Sequence, residues 1–200
     1  MNTNEHRRLR TIRVVGVVCG LFGLATGCGH PPSPAPAPAA GGTVTLQDLL
    51  SAPLPALCQH DPGTLVNGQL PPQDSHPGPV MIAKRNDEPD PSYKVAFGNL
   101  TGGGNTDAAM VTDCGAGGVP WPETVQLYTA GPTRLGGVDL GDITRSREVV
   151  TDLSISDGVA HVNWLANGPD DAACCPTIKM AADLRWDGST VSPQNVRRLN

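Results

Sequence analysis

The chain has 200 residues, of which 4% are aromatic and 16% charged, with 24 glycines, 20 prolines and a formal net charge of −5. The charged share lies well below the roughly 25% of an ordinary soluble domain. The length allows about one domain, and the composition excludes a coiled coil, a helical bundle and a nucleic-acid binder.

Arg7, Arg8, Arg10 and Arg13 precede an uncharged run from Val14 to Gly29, apolar from Val14 to Ala25. That is the basic start and short apolar stretch of a secretory signal. A bilayer-spanning helix needs about 20 apolar residues, and this run is shorter and broken by glycines. The Arg7-Arg8 pair lacks the flanking pattern of a twin-arginine signal, so ordinary Sec export is expected. The run ends in Leu24-Ala25-Thr26-Gly27-Cys28. This resembles the lipobox of bacterial lipoproteins, with the leucine one place further from the cysteine than usual. The resemblance implies that residues 1–27 are a removable leader. Cys28 would then be the first mature residue, carrying a diacylglycerol and fatty acyl chains such as palmitate.

Burying acyl chains is worth about 0.8 kcal/mol per methylene, and two chains hold stably where one does not. Removing residues 1–27 takes out four arginines and one glutamate and moves the net charge from −5 to −8. An acidic domain is repelled by phosphate backbones and anionic headgroups. No nucleic-acid partner is expected, and membrane contact is expected through the lipid only. The expected location is the extracytoplasmic face of the cell membrane.

Residues 28–42 read as the lipidated cysteine plus a Pro/Ala-rich linker, HPPSPAPAPAAGG over 30–42. In polyproline II, at about 3.1 Å per residue, that stretch holds the domain roughly 40 Å off its anchor. A single β-rich domain is expected over 43–200. It opens with one short helix at 45–51, capped by Thr45 and stopped by Pro53. Strands are expected at 79–84, 92–98, 107–113, 123–129 and 134–140. A hairpin follows, in which Val149, Thr151, Leu153 and Ile155 alternate, Asp157-Gly158 turns, and Ala160, Val162 and Trp164 return. The clearest strand is 177–186, with Ile178, Met180, Ala182, Leu184 and Trp186 on one face. Asp187-Gly188 then signals a type I′ turn into a return over 189–192. The fold class is all-β: antiparallel strands with hairpins, as a sandwich, a barrel or a propeller-like blade, stabilised by disulfides.

Four cysteines fall in this domain: Cys58, Cys114, Cys174 and Cys175. In an oxidising compartment an even set signals disulfides. Bridging neighbours strains the backbone, so Cys58 and Cys114 are each expected to bond one of the adjacent pair. Loops of that length stabilise by about 3–4.7 kcal/mol in the chain-entropy model. The alternative is a metal site built from Cys58, His60 and His76, if the three converge.

Residues 97–111, FGNLTGGGNTDAAMV, run strand, Gly-rich loop, strand. This resembles the FG-GAP-type calcium loop of propeller and integrin-like repeats. The resemblance places Asn99, Thr101, Gly103 and Asp107 at the ligand positions. Calcium takes six to eight oxygens, several from carboxylates. Here only Asp107 is charged, so the loop is expected to keep its shape without tight calcium binding, and no cofactor is expected. One copy cannot close a propeller. Taken together, Cys28, the Pro/Ala linker, LCQHDPGTLVNGQLP at 57–71, the Gly-rich loop and Cys174-Cys175-Pro176 resemble a family of actinobacterial envelope lipoproteins. That family implies a location more than an activity.

No Gly-x-Ser-x-Gly or His-Glu-x-x-His is present. Asp87, Glu88 and Asp90, and the pair Asp170-Asp171, are clustered acids among turn residues. They read as solvated loops, with paired-carboxylate hydrolysis as the alternative. His161 reads as a surface or satisfied strand histidine. The expected function is a non-catalytic, lipid-anchored domain binding an envelope protein, a glycan or a small ligand. The alternatives are an envelope hydrolase and a metal-binding lipoprotein.

Overall fold

Alternation of apolar and polar residues puts one face of a strand in the core and the other in water. Strands buried on both faces lose that alternation. Both kinds occur here. The structure, a computed structural model, describes residues 41–74, 78–85, 92–115 and 121–200, all within one compact unit. The expected leader, Cys28, His76, Asp87, Glu88 and Asp90 lie outside the described residues.

The chain enters through α1 (Leu46–Leu49), where Thr45 and Asp48 form a reciprocal capping box. Thr45 accepts from the Asp48 N–H, and the Asp48 carboxylate accepts from the Thr45 N–H at 2.8 Å. The expected helix is thus present, but shorter. Two small strands follow, β1 (Pro53–Leu54) and β2 (Gly63–Thr64), paired with each other. Neither is evident from periodicity, because each has two residues.

The first large sheet holds β3 (Val80–Ile82), β4 (Val95–Gly98), β5 (Asp107–Cys114), β6 (Thr124–Thr129) and β7 (Thr133–Asp139). Its order is β3-β5-β6-β7, with β4 also paired to β5. A short helix, α2 (Gly141–Thr144), leads on to the second sheet. That sheet holds β8 (Val149–Ser156), β9 (Val159–Ala166), β10 (Ile178–Trp186) and β11 (Val191–Arg198), in the order β11-β10-β9-β8. All the strand pairs are antiparallel.

Two apolar clusters explain the layering. One lies between the sheets and joins Ala109, Val111, Val125 and Leu127 to Val150, Leu153, Val162, Trp164 and Leu184. The other lies on the far face of the first sheet. There Ala108, Met110, Tyr128, Val80 and Ile82 meet Val44, Leu49, Leu54, Leu65 and Leu70 of the N-terminal segment. The first sheet is therefore covered on both faces, and the second on one. β4 and β8 meet closely at Gly98, where a Cβ would fall 2.5 Å from the Ile155 side chain. The all-β expectation holds, as two packed sheets with no closed barrel among the described residues.

Three local expectations are corrected. A second helix, α2, stands beside the one expected, because residues 140–145 close a turn through Thr144 N–H to Leu140 C=O and Arg145 N–H to Gly141 C=O. Asp157-Gly158 turns with both residues at positive φ, as expected, but Asp187-Gly188 does not form a two-residue turn. Trp186 pairs with Val191, leaving a four-residue loop in which Asp187 accepts from the backbones of Ser189 and Thr190. The return strand then continues to Arg198. Its exposed residues and Pro193 hide it from a pattern search, and Pro193 is tolerated because β11 is an edge.

Candidate functional site

The first polar centre is a buried ion pair at the seam of the sheets. Lys94 lies just before β4, and its backbone ties to Ala83 and Val111. Glu123 lies just before β6, with its N–H on the Glu148 carbonyl and its own carbonyl accepting from Leu140. This brings Lys94 Nζ to 2.8 and 3.1 Å from the two Glu123 oxygens, with both side chains about nine-tenths buried. Glu123 Oε2 also accepts from the Val150 N–H at 2.5 Å. Burial pushes the Glu123 carboxyl up from its ordinary range, against the opposing attraction of Lys94.

Two cavities flank this pair and share Lys94 and Val149. One, about 340 Å³, runs between Arg85, Lys94 and residues 149–153. The β8 register shifts between Val150 and Asp152, so Thr151 bulges out along its wall. The other, about 290 Å³, is lined by Lys84, Lys94 and Arg147, by Asp113, Glu123 and Glu148, and by Trp121 among others.

Glu148 is fully buried. Its Oε1 accepts from Thr144 Oγ at 2.6 Å, from Ser146 N–H at 2.8 Å and from Ser146 Oγ at 2.9 Å. Its Oε2 has no hydrogen-bond partner, and neither has the buried Nε of Arg147. An unmet acceptor and an unmet donor thus belong to residues lining one cavity. Such groups cost free energy unless something meets them.

A second polar group crosses the outer face of the second sheet. Register places His161 of β9 opposite Ser154 of β8 and Asp183 of β10. Ser156 Oγ lies 3.1 Å from His161 Nε2, and His161 Nδ1 lies 2.9 Å from Asp183 Oδ1. Asn195 on β11 donates to Asp183 Oδ2 at 2.7 Å. The bonds from Asn195 and His161 hold the Asp183 carboxyl below its ordinary range. Residues from four strands make this row, and linear spacing does not reveal it.

The cysteines pair differently from expectation. Cys58 bonds Cys114, and Cys174 bonds Cys175. Cys114 ends β5 within the cluster covered by the N-terminal segment, and Cys58 packs on that cluster, with the Cα atoms 6.3 Å apart. Cys174 and Cys175 sit in the β9–β10 connection of the other sheet. Their turn is closed by Cys175 N–H to Ala172 C=O at 2.9 Å, and the bond joins neighbours despite the strain expected of such a bridge. His60 meets the Cys58 and Gly78 carbonyls, at 3.0 and 3.2 Å. Among the described residues no group of three or more His, Cys, Asp or Glu is arranged to hold a metal ion.

The Gly-rich loop is closed by its own hydrogen bonds. Asp107 Oδ2 accepts from Leu100 N–H, Thr101 N–H and Thr101 Oγ, at 2.7–2.9 Å. Asn99 Oδ1 accepts from Gly102 N–H at 2.7 Å. Gly103 is at positive φ with open space around it. Asn99 Oδ1 and Asp107 Oδ2 therefore face donors of the loop itself, while Asp107 Oδ1 is buried without a hydrogen-bond partner. Asp171 likewise staples its loop, accepting from Gly168 N–H, Thr177 N–H and Thr177 Oγ.

No protein-family model, curated protein or solved structure matches this chain. Among the described residues, no helix is long and apolar enough to cross a membrane.

Proposed function

We propose that the protein is a lipid-anchored, extracytoplasmic binding domain that takes a neutral, hydroxyl-rich ligand such as a short glycan. The reading of location rests on Arg7 to Arg13, the apolar run and Cys28. Paired cysteines suit an oxidising compartment.

The observation that carries the ligand class is the balance of charge in the Trp121 cavity. Lys84, Lys94 and Arg147 are matched by Asp113, Glu123 and Glu148. An anion or a cation would meet no net field of opposite sign there. A hydroxyl-bearing ligand both donates and accepts, which suits a lining that sets lysine and arginine donors beside carboxylate acceptors. Trp121 offers an apolar plate to a sugar face. A volume near 300 Å³ suits a small ligand.

Two measurements test this. Growth with labelled palmitate is expected to label the native chain and not a Cys28→Ala variant. Titration with neutral sugars, and with anionic and cationic amino acids as controls, is expected to give saturable binding only with a sugar. Trp121→Ala should weaken that binding at least tenfold. Preference for a charged amino acid over every sugar tested overturns the ligand class, and an unacylated Cys28 overturns the anchor.

A further inference from the structure

We propose that the row Ser156–His161–Asp183 on the outer face of the second sheet is a nucleophilic site that cleaves small acyl esters. This activity is separate from binding in the cleft and does not rest on it.

The proton arrangement follows from the geometry. Asp183 accepts from Asn195 at one oxygen and faces His161 Nδ1 with the other. An ionised carboxylate only accepts, so Nδ1 of His161 carries the ring proton. In a neutral imidazole Nε2 is then the acceptor, and Ser156 Oγ is its donor at 3.1 Å. A hydroxyl thus points its proton at a base, which a carboxylate in turn orients, the arrangement a serine nucleophile requires. Salt and water compete with the His161–Asp183 contact only partly, because the Asp183 side chain is 15% exposed while that of His161 is 40% exposed. The base is open to a substrate, and the residue that positions it is covered.

The reaction balances with these groups and water. Ser156 Oγ attacks the ester carbonyl carbon as its proton passes to His161 Nε2. The carbonyl electron pair moves onto oxygen, then returns and expels the alcohol, which takes the proton from Nε2. Water next attacks the acyl-serine, giving a proton to Nε2, and Ser156 leaves with that proton. Ester and water become acid and alcohol. The face is a sheet surface in which Ser154, Ser156 and Arg185 are exposed. Small acyl groups, of which acetyl is the simplest, are therefore the expected class.

The test uses the purified full-length chain with a fluorophosphonate and with 4-nitrophenyl acetate. The expected results are a phosphonyl adduct on the peptide holding Ser156 and ester turnover. Both should be lost in Ser156→Ala and in His161→Gln. Asp183→Asn, which favours the wrong ring tautomer, should lower kcat at least a hundredfold with KM little changed, and Asp183→Glu should restore part of it. Exposed Ser156 is expected to tolerate alanine, with an unchanged thermal midpoint as the control. A folded native chain with no adduct at Ser156 overturns the proposal. So does turnover that survives Ser156→Ala, or a loss in Asp183→Asn confined to KM.

Discussion

The two sheets meet water differently. The first is covered by the second sheet on one side and by the N-terminal segment on the other, and the whole of β5 is buried apart from half-buried Asp113. The second is covered on one side, and along β9 every other residue from Ala160 to Ala166 is buried. The difference decides where polar chemistry can stand. At the covered sheet a charge must be paired or hydrogen-bonded, as Lys94 is with Glu123 and Asp107 with the N–H groups of Leu100 and Thr101, because desolvation costs several kcal/mol per ion. On the open face a polar row stays hydrated at its rim and needs only register to assemble.

Removing one partner of the buried pair should give the largest effect. Glu123→Ala leaves the Lys94 ammonium and the Val150 N–H without an acceptor. It should destabilise by roughly 3–5 kcal/mol in chemical denaturation. Replacing both partners, as Lys94→Met with Glu123→Leu, should recover most of that loss. If the double variant is no better than the single one, burial is not what makes the pair costly.

The link between the N-terminal layer and the covered sheet comes next. Cys58 and Cys114 are 56 residues apart in sequence. Replacing both by alanine should cost about 4 kcal/mol in the chain-entropy model. The Cys174–Cys175 bridge closes off almost no chain, so replacing both of those residues should cost far less. Denaturation midpoints of the two double variants compare them directly.

Acid should separate the exposed carboxylate of Asp187 from the buried carboxylate of Glu123. Asp187 is held below its ordinary value of 3.8 by the N–H groups of Thr190 and Ser189. Its folded pKa lies below the unfolded one, so its contribution is present above pH 3.8 and is lost as the pH falls further. Glu123 is raised above 4.5, so its own contribution has the opposite sign and declines as the pH rises past 4.5. Amide exchange on acidification should therefore open the 187–190 loop before the seam at Glu123. Simultaneous opening would contradict this.

The smallest effect belongs to the open face. Ser154 is exposed and lies opposite His161 without a hydrogen bond between their side chains being part of the row. Ser154→Ala should change stability by no more than about 0.5 kcal/mol. A larger loss would show that the outer face carries more of the fold than its exposure implies.

Much of the second sheet was legible in the residues. The alternation of 177–186 and the Asp157-Gly158 turn place β8 to β10 correctly, because one wet face preserves period two. The first sheet was legible as strands but not as a doubly covered layer, since nothing local says what lies above Ala108 or Met110. Of the candidate sites, the Gly-rich segment is a loop between β4 and β5, closed by Asn99 and Asp107. The seam and the outer row were not visible. Lys94, Glu123 and Glu148 come from separate connections, and Ser156, His161 and Asp183 from separate strands.

The linear order of residues was enough to determine an all-β chain and its Asp157-Gly158 turn, because periodicity and turn chemistry act over a few neighbours. Which cysteine met which, how far β11 ran, and which acids, bases and hydroxyls became neighbours were decided only by folding. Those outcomes depend on strand register and on layer packing, which bring together groups tens of residues apart and leave no trace in local spacing.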